Sequence, residues 1–152
     1  MRPRLPLLVA LALLALALFV WAGHRRPPEV AVGHVAANDP GTHVFRAFLI
    51  RDLTAYLKPI HGDKLALDYE LLRDGPTQSG LAYPKYYLWL NATNDAGMVM
   101  EGVARVAAVD QKGFRVTDFV SRSDVISHPE SLTRIFPQAL IEKIQAKAGV
   151  KK

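Results

Sequence analysis

KLALDYELLR (64–73), YYLWLNAT (86–93), MVMEGVARVAAVD (98–110) and FRVTDFVS (114–121) decide the fold. They read as four antiparallel strands. In the first, Leu65, Leu67, Tyr69 and Leu71 alternate with Lys64, Asp68 and Glu70, the period of a strand with one buried face. Asn94-Asp95-Ala96-Gly97 and Gln111-Lys112-Gly113 are turn chemistry, so strands two to four follow one another as hairpins. The connection 74–85 (DGPTQSGLAYPK) is too long for a tight turn. Gly102 in the middle of the third strand suggests a bend or a bulge.

Before the strands, Asn38-Asp39-Pro40 has the form of a helix start. Phe45, Phe48, Leu49, Leu53, Tyr56 and Leu57 then recur at three- and four-residue steps as one apolar stripe, stopped by Pro59 and Gly62. After the strands, Ser127-His128-Pro129-Glu130 fits a capping box. Leu132, Ile135 and Phe136, and then Leu140, Ile141, Ile144 and Ala148 beyond Pro137, continue at helical spacing to Gly149. Helix, four-stranded antiparallel sheet and C-terminal helices make an α+β domain, with the helices expected on one face.

Residues 5–22 (LPLLVALALLALALFVWA), bounded by Leu5 and Ala22, hold no charge and suffice to span most of a bilayer of about 30 Å. Arg2 and Arg4 precede the run, Trp21 sits at its far end, and Arg25-Arg26 follow. Two readings stay open. An uncleaved signal anchor accounts for the length of the run and for the basic pair behind it. A signal peptide cut near Ala22 would release a periplasmic or secreted protein. The chain thus divides into an anchor (1–24), a tether without sustained period (25–37) that contains the stiff, extended Pro27-Pro28, and an exported domain (38–152).

Half of the 152 residues are hydrophobic and 22% are charged, a globular composition. The formal charge is +5, but Arg2, Arg4, Arg25 and Arg26 flank the apolar run, leaving fifteen cations against fourteen acids in the rest. That balance carries no footprint for nucleic acid. With no cysteine, thiolate metal sites, disulfides, cysteine nucleophiles and a lipidated cysteine behind the apolar run are excluded. His24, His34, His43, His61 and His128 include no pair at i, i+4, so neither a metal nor a cofactor is implied.

Two features carry what functional signal there is. Tyr83, Lys85, Tyr87 and Trp89, in and after the 74–85 connection, have the composition of a contact surface. The alternative is that these aromatics fill the sheet's own core, a reading that weighs more for Trp89 and evenly against contact for Tyr83. Asp118 shares a strand face with Phe114, Val116 and Val120 if the alternation is unbroken, which would aim it at the core as a pocket acid. A bulge that turns Phe119 inward, or pairing with Arg105 or Arg115, would remove that role.

The order of elements from Asn38 to about Arg122 resembles the cystatin-like and nuclear-transport-factor-2-like folds, in which a curved sheet wraps one long helix. That resemblance implies either an assembly subunit of the bacterial envelope or a small pocket enzyme or ligand carrier. The leading expectation is a single-pass inner-membrane protein whose exported domain is a binding or assembly module with a protein partner in the envelope, not an enzyme.

Overall fold

The computed structural model describes residues 29–79 and 82–150, with side chains from residue 33 onward. The anchor expected at 5–22 and the Pro27-Pro28 pair lie outside the described residues. No helix among the described residues is long and apolar enough to cross a membrane.

Helix α1 (Glu29–Asn38) runs into helix α2 (Thr42–His61), and strands β1 (Ala66–Leu71), β2 (Lys85–Asn94), β3 (Gly97–Val109) and β4 (Gly113–Ser121) follow. Helix α3 (Arg122–Ser127), a 3-10 turn at Pro129–Ser131, helix α4 (Leu132–Ile135) and helix α5 (Gln138–Ala148) complete the order. The sheet is an antiparallel meander, β1-β2-β3-β4.

The sheet is covered on both faces, whereas helices were expected on one. On one face Leu49, Leu53 and Leu57 of α2, all at most 1% exposed, pack on Tyr86, Leu88, Leu90, Ala104, Val106 and Phe114. On the other, Val125, Leu132, Phe136, Leu140, Ile141 and Ile144 of the C-terminal segment cover Leu72, Tyr87, Trp89, Val103 and Val120. Charged groups frame this second core. Arg105 Nη1 donates to Ile135 O at 2.9 Å, Arg122 Nε to Ala148 O at 3.0 Å and Lys143 Nζ to Leu72 O at 3.1 Å. Lys147 pairs with Glu70 of β1.

Several local readings need correction. The segment expected as a tether without sustained period is helical from Glu29, and Asn38 ends that helix instead of opening the next one. Its buried side chain bonds back to His34 O at 2.8 Å and accepts Asp110 N–H at 3.2 Å, so a β-turn terminates α1. Pro59 lies inside the last turn of α2, and Gly62 (φ 87°) closes that helix by donating to Lys58 O. The side-chain cap is Ser121, whose Oγ accepts from Asp124 N at 3.1 Å, and Ser127 ends α3 instead of opening a helix. Gly149 does end α5 as expected, left-handed at φ 84°, with Val150 N–H returning to Gln145 O at 3.0 Å.

Gly102 marks no bulge; the register shifts fall between Ala92 and Thr93 and between Arg105 and Val106. What Gly102 provides is room. A Cβ there would fall against Val120 O and within 2.7 Å of the Phe119 ring, which lies over the glycine. Because the carbonyl belongs to a paired strand, it has little freedom to move aside. Gly102→Ala is expected to destabilise the domain by about 1–3 kcal/mol, read from urea unfolding of a chain beginning at Glu29. Unchanged stability would show that β4 can shift.

Candidate functional site

Thr77 and Lys85 exchange backbone hydrogen bonds in both directions at 2.8 Å, closing the base of the connection between β1 and β2 at one end of the sheet. Pro84 is buried at its base, and its carbonyl accepts Ala108 N–H at 2.8 Å, so the loop is fixed to β3. Thr77, Ser79, Tyr83, Lys85 and Tyr87 line a depression of about 160 Å³ in this loop. Tyr83 stands on the rim, 44% exposed, with its ring stacked at 6.3 Å on His34 of α1. Tyr87 forms the floor. Only 4% of it is exposed, its hydroxyl is 2.7 Å from Thr77 Oγ1, and its ring meets Phe136 edge-on.

Three of the four expected contact residues therefore come together: Tyr83, Lys85 and Tyr87. Trp89 does not join them. Two residues further along β2 it is buried under the C-terminal helices, with Nε1 donating to Glu101 Oε1 at 3.2 Å. A tryptophan N–H that finds a partner in the core is a packing residue with its polar atom satisfied.

Asp118 faces away from α2. The pairing of Val106 with Val116 and of Arg105 with Asp118 leaves Thr117 as an extra residue in β4, a bulge that inverts the alternation. Phe114, Val116 and Phe119 consequently pack toward α2, while Asp118 and Val120 lie on the opposite face. Asp118 Oδ2 accepts from Arg105 Nε at 2.6 Å, both side chains being about one-fifth exposed. Arg105 in turn holds Ile135 O, so the carboxylate fixes a guanidinium that docks the C-terminal helices. It is a structural pair on the sheet, not a pocket acid.

Among the described residues no group of three or more His, Asp or Glu gathers as metal ligands. His34 stacks on Tyr83, and His128 precedes the 3-10 turn.

Two polar arrangements were not legible in the sequence. Asp52 lies on α2 yet its Oδ2 accepts Phe114 N–H at 2.6 Å, sixty-two residues on, and neighbouring Arg51 donates to Lys112 O at 2.8 Å. Asp39 accepts from the hydroxyl of Tyr86, and burial together with this carboxylate pushes the Tyr86 phenol well above its usual range. Both are contacts between distant segments, for which the chain holds no local signal. A phenol with a raised folded pKa contributes stability that is fully present below its unfolded value of roughly 10 and is lost as pH rises through the folded one. Tyr86→Phe is therefore expected to cost about 1.5–3 kcal/mol at pH 8, with a deficit that shrinks above pH ~10, measured by urea unfolding across that range. A deficit that stays constant would show that the hydroxyl contributes through packing alone.

Comparison with protein-family models, with curated proteins and with solved structures gives no match for this chain. Fold and site together define an α+β domain with a two-sided sheet and a tyrosine- and lysine-bearing loop at one end of it.

Proposed function

We propose that the chain is a single-pass inner-membrane protein, held through residues 5–22, whose exported domain binds another envelope protein through the loop bearing Tyr83 and Lys85. The observation that carries this reading is the division of the aromatics. Tyr87 and Trp89 are buried, whereas Tyr83 remains 44% exposed on a loop closed at its base by paired backbone bonds. An exposed aromatic next to Pro84, whose carbonyl is bonded to β3, gives contact area beside a lysine and hydroxyls that supply polar contacts. The space between α2 and the sheet is filled by Leu49, Leu53 and Leu57, and Asp118 is engaged by Arg105 on the other face. Both favour a binding module over the pocket enzyme. One helix, α2, packs on one face of the four-stranded meander, and α3 to α5 cover the second face.

Two measurements test this in bacterial cells. Alkaline phosphatase fused after Lys152 should be active, because the enzyme matures only outside the cytoplasm; inactive fusions would overturn the orientation. A photoreactive benzoylphenylalanine at position 83 should give a discrete protein adduct that the same probe at Tyr56, equally exposed on α2, does not. Matching adduct patterns at the two positions, or none at 83, would overturn the contact surface.

A further inference from the structure

The turn between β3 and β4 is strained and held from outside. Asp110 and Gln111 both adopt positive φ (51° and 56°), a conformation costly for residues other than glycine. The end of α1 holds them there: Gln111 N–H donates to Asn38 O at 3.0 Å, Asp110 N–H to Asn38 Oδ1 at 3.2 Å and Gln111 Nε2 to Ala36 O at 2.5 Å. This turn is therefore fixed to the helix that leads back toward residue 22. Helix α1 is about 15 Å long, and the seven Cα steps from Ala22 to Glu29 reach at most about 25 Å.

Beside the turn lies an open depression of about 350 Å³, lined by Arg51, Asp52, Asp110, Lys112, Gly113 and Arg115. Its charges are unequally committed. Asp52 is engaged by Arg51 at 2.7 Å and by Phe114 N–H at 2.6 Å, and Arg51 is further fixed by Lys112 O and by the Phe48 ring 4.6 Å below it. Lys112 and Arg115 are exposed and have no acidic partner among the described residues. Gly113 keeps the floor low, since a Cβ there would fall within 2.6 Å of Arg51 Nη2. Asp110, also exposed and without a cationic partner among the described residues, offsets one of these charges, but Arg51, Lys112 and Arg115 still outnumber Asp52 and Asp110 around a concave surface, and that net positive balance suits a phosphate group.

We propose that this depression seats the phosphate of an anionic lipid headgroup in the membrane that the chain's own N-terminal run enters. The lipid as source rests on the anchored reading above; the affinity for phosphate does not. Bound there, the headgroup fixes which end of the domain faces the bilayer. The attraction is electrostatic, so it weakens as salt rises.

The test uses the full chain in dodecyl maltoside micelles, following the amide resonances of residues 112–115. Dioctanoyl phosphatidylglycerol should shift them saturably, with dioctanoyl phosphatidylcholine and inorganic phosphate each at least tenfold weaker. Lys112→Gln and Arg115→Gln should each weaken phosphatidylglycerol binding about fivefold, and the double variant about 25-fold. Neither side chain has a partner to lose, so an unchanged circular dichroism spectrum is expected. No saturable shift, or one undiminished in the double variant, overturns the site. Inorganic phosphate binding as tightly as the lipid overturns the lipid as its source. Carbonate extraction of membranes from cells making the chain judges the anchor separately. Release into the supernatant would overturn the anchored reading, while the titration still decides the phosphate site.

Discussion

A chain that ends at Ser121 is expected not to fold. Removing residues 122–152 deletes no strand and leaves α2 on its face of the sheet, so on the helix-on-meander pattern alone the truncated protein would be complete. The second face argues otherwise. Tyr87 and Trp89, each 4% exposed, with Val103 at 0% and Val120 at 7%, would pass into water together. Burying each such side chain is worth about 1.5–3 kcal/mol, so the four together, about 6–12 kcal/mol, are comparable to the whole net stability of an ordinary domain, about 5–15 kcal/mol. Arg105 would also lose Ile135 O, and Glu101 would lose Arg122. The truncated chain should show no cooperative urea transition and should bind anilinonaphthalene sulfonate. A sharp transition near the wild-type midpoint would mean that the C-terminal helices are an accessory.

The signal for two-sided burial was present in the sequence and differed from the one used to place the strands. β1 alternates, and it is the strand whose burial alternates too. YYLWL in β2 and VARVAAV in β3 do not alternate, and there buried positions run almost without a break. A strand covered on both faces has no polar side to display. Strand positions, the α2 stripe and the Gly149 terminus were legible because they depend on local period and turn chemistry. The Thr117 bulge was not, since nothing in VTDFV distinguishes an inserted residue from a continuing strand, and the face of Asp118 depends on that one insertion. Of the contact surface, the loop was legible from its tyrosines and proline. Whether each aromatic pointed in or out depended on the C-terminal helices, which were expected on the same face as α2 and instead form a second layer.

Leu53→Ala is expected to be strongly damaging, and Tyr56→Ala, three residues on, close to silent. Sequence periodicity assigns both to one apolar stripe, but their exposures are 1% and 41%. The reason lies in how a helix crosses a twisted sheet. Phe45, Leu49, Leu53 and Leu57 form an i+4 row, and each step advances about 40° around the helix, so the row is a slanted ridge. Contact follows that ridge to Leu57, fully buried. Tyr56 lies about 100° from Leu57 around the axis and leaves the interface just where the stripe drawn parallel to the axis would keep it. Losing the Leu53 side chain opens a cavity against the packed sheet and should cost about 2–5 kcal/mol, lowering the melting temperature by roughly 8–20 °C. Tyr56→Ala should stay within about 0.5 kcal/mol of wild type. Thermal melts of the two variants beside the wild type decide it: similar losses would mean that α2 lies along the sheet with both residues beneath it, and the slanted ridge would be wrong.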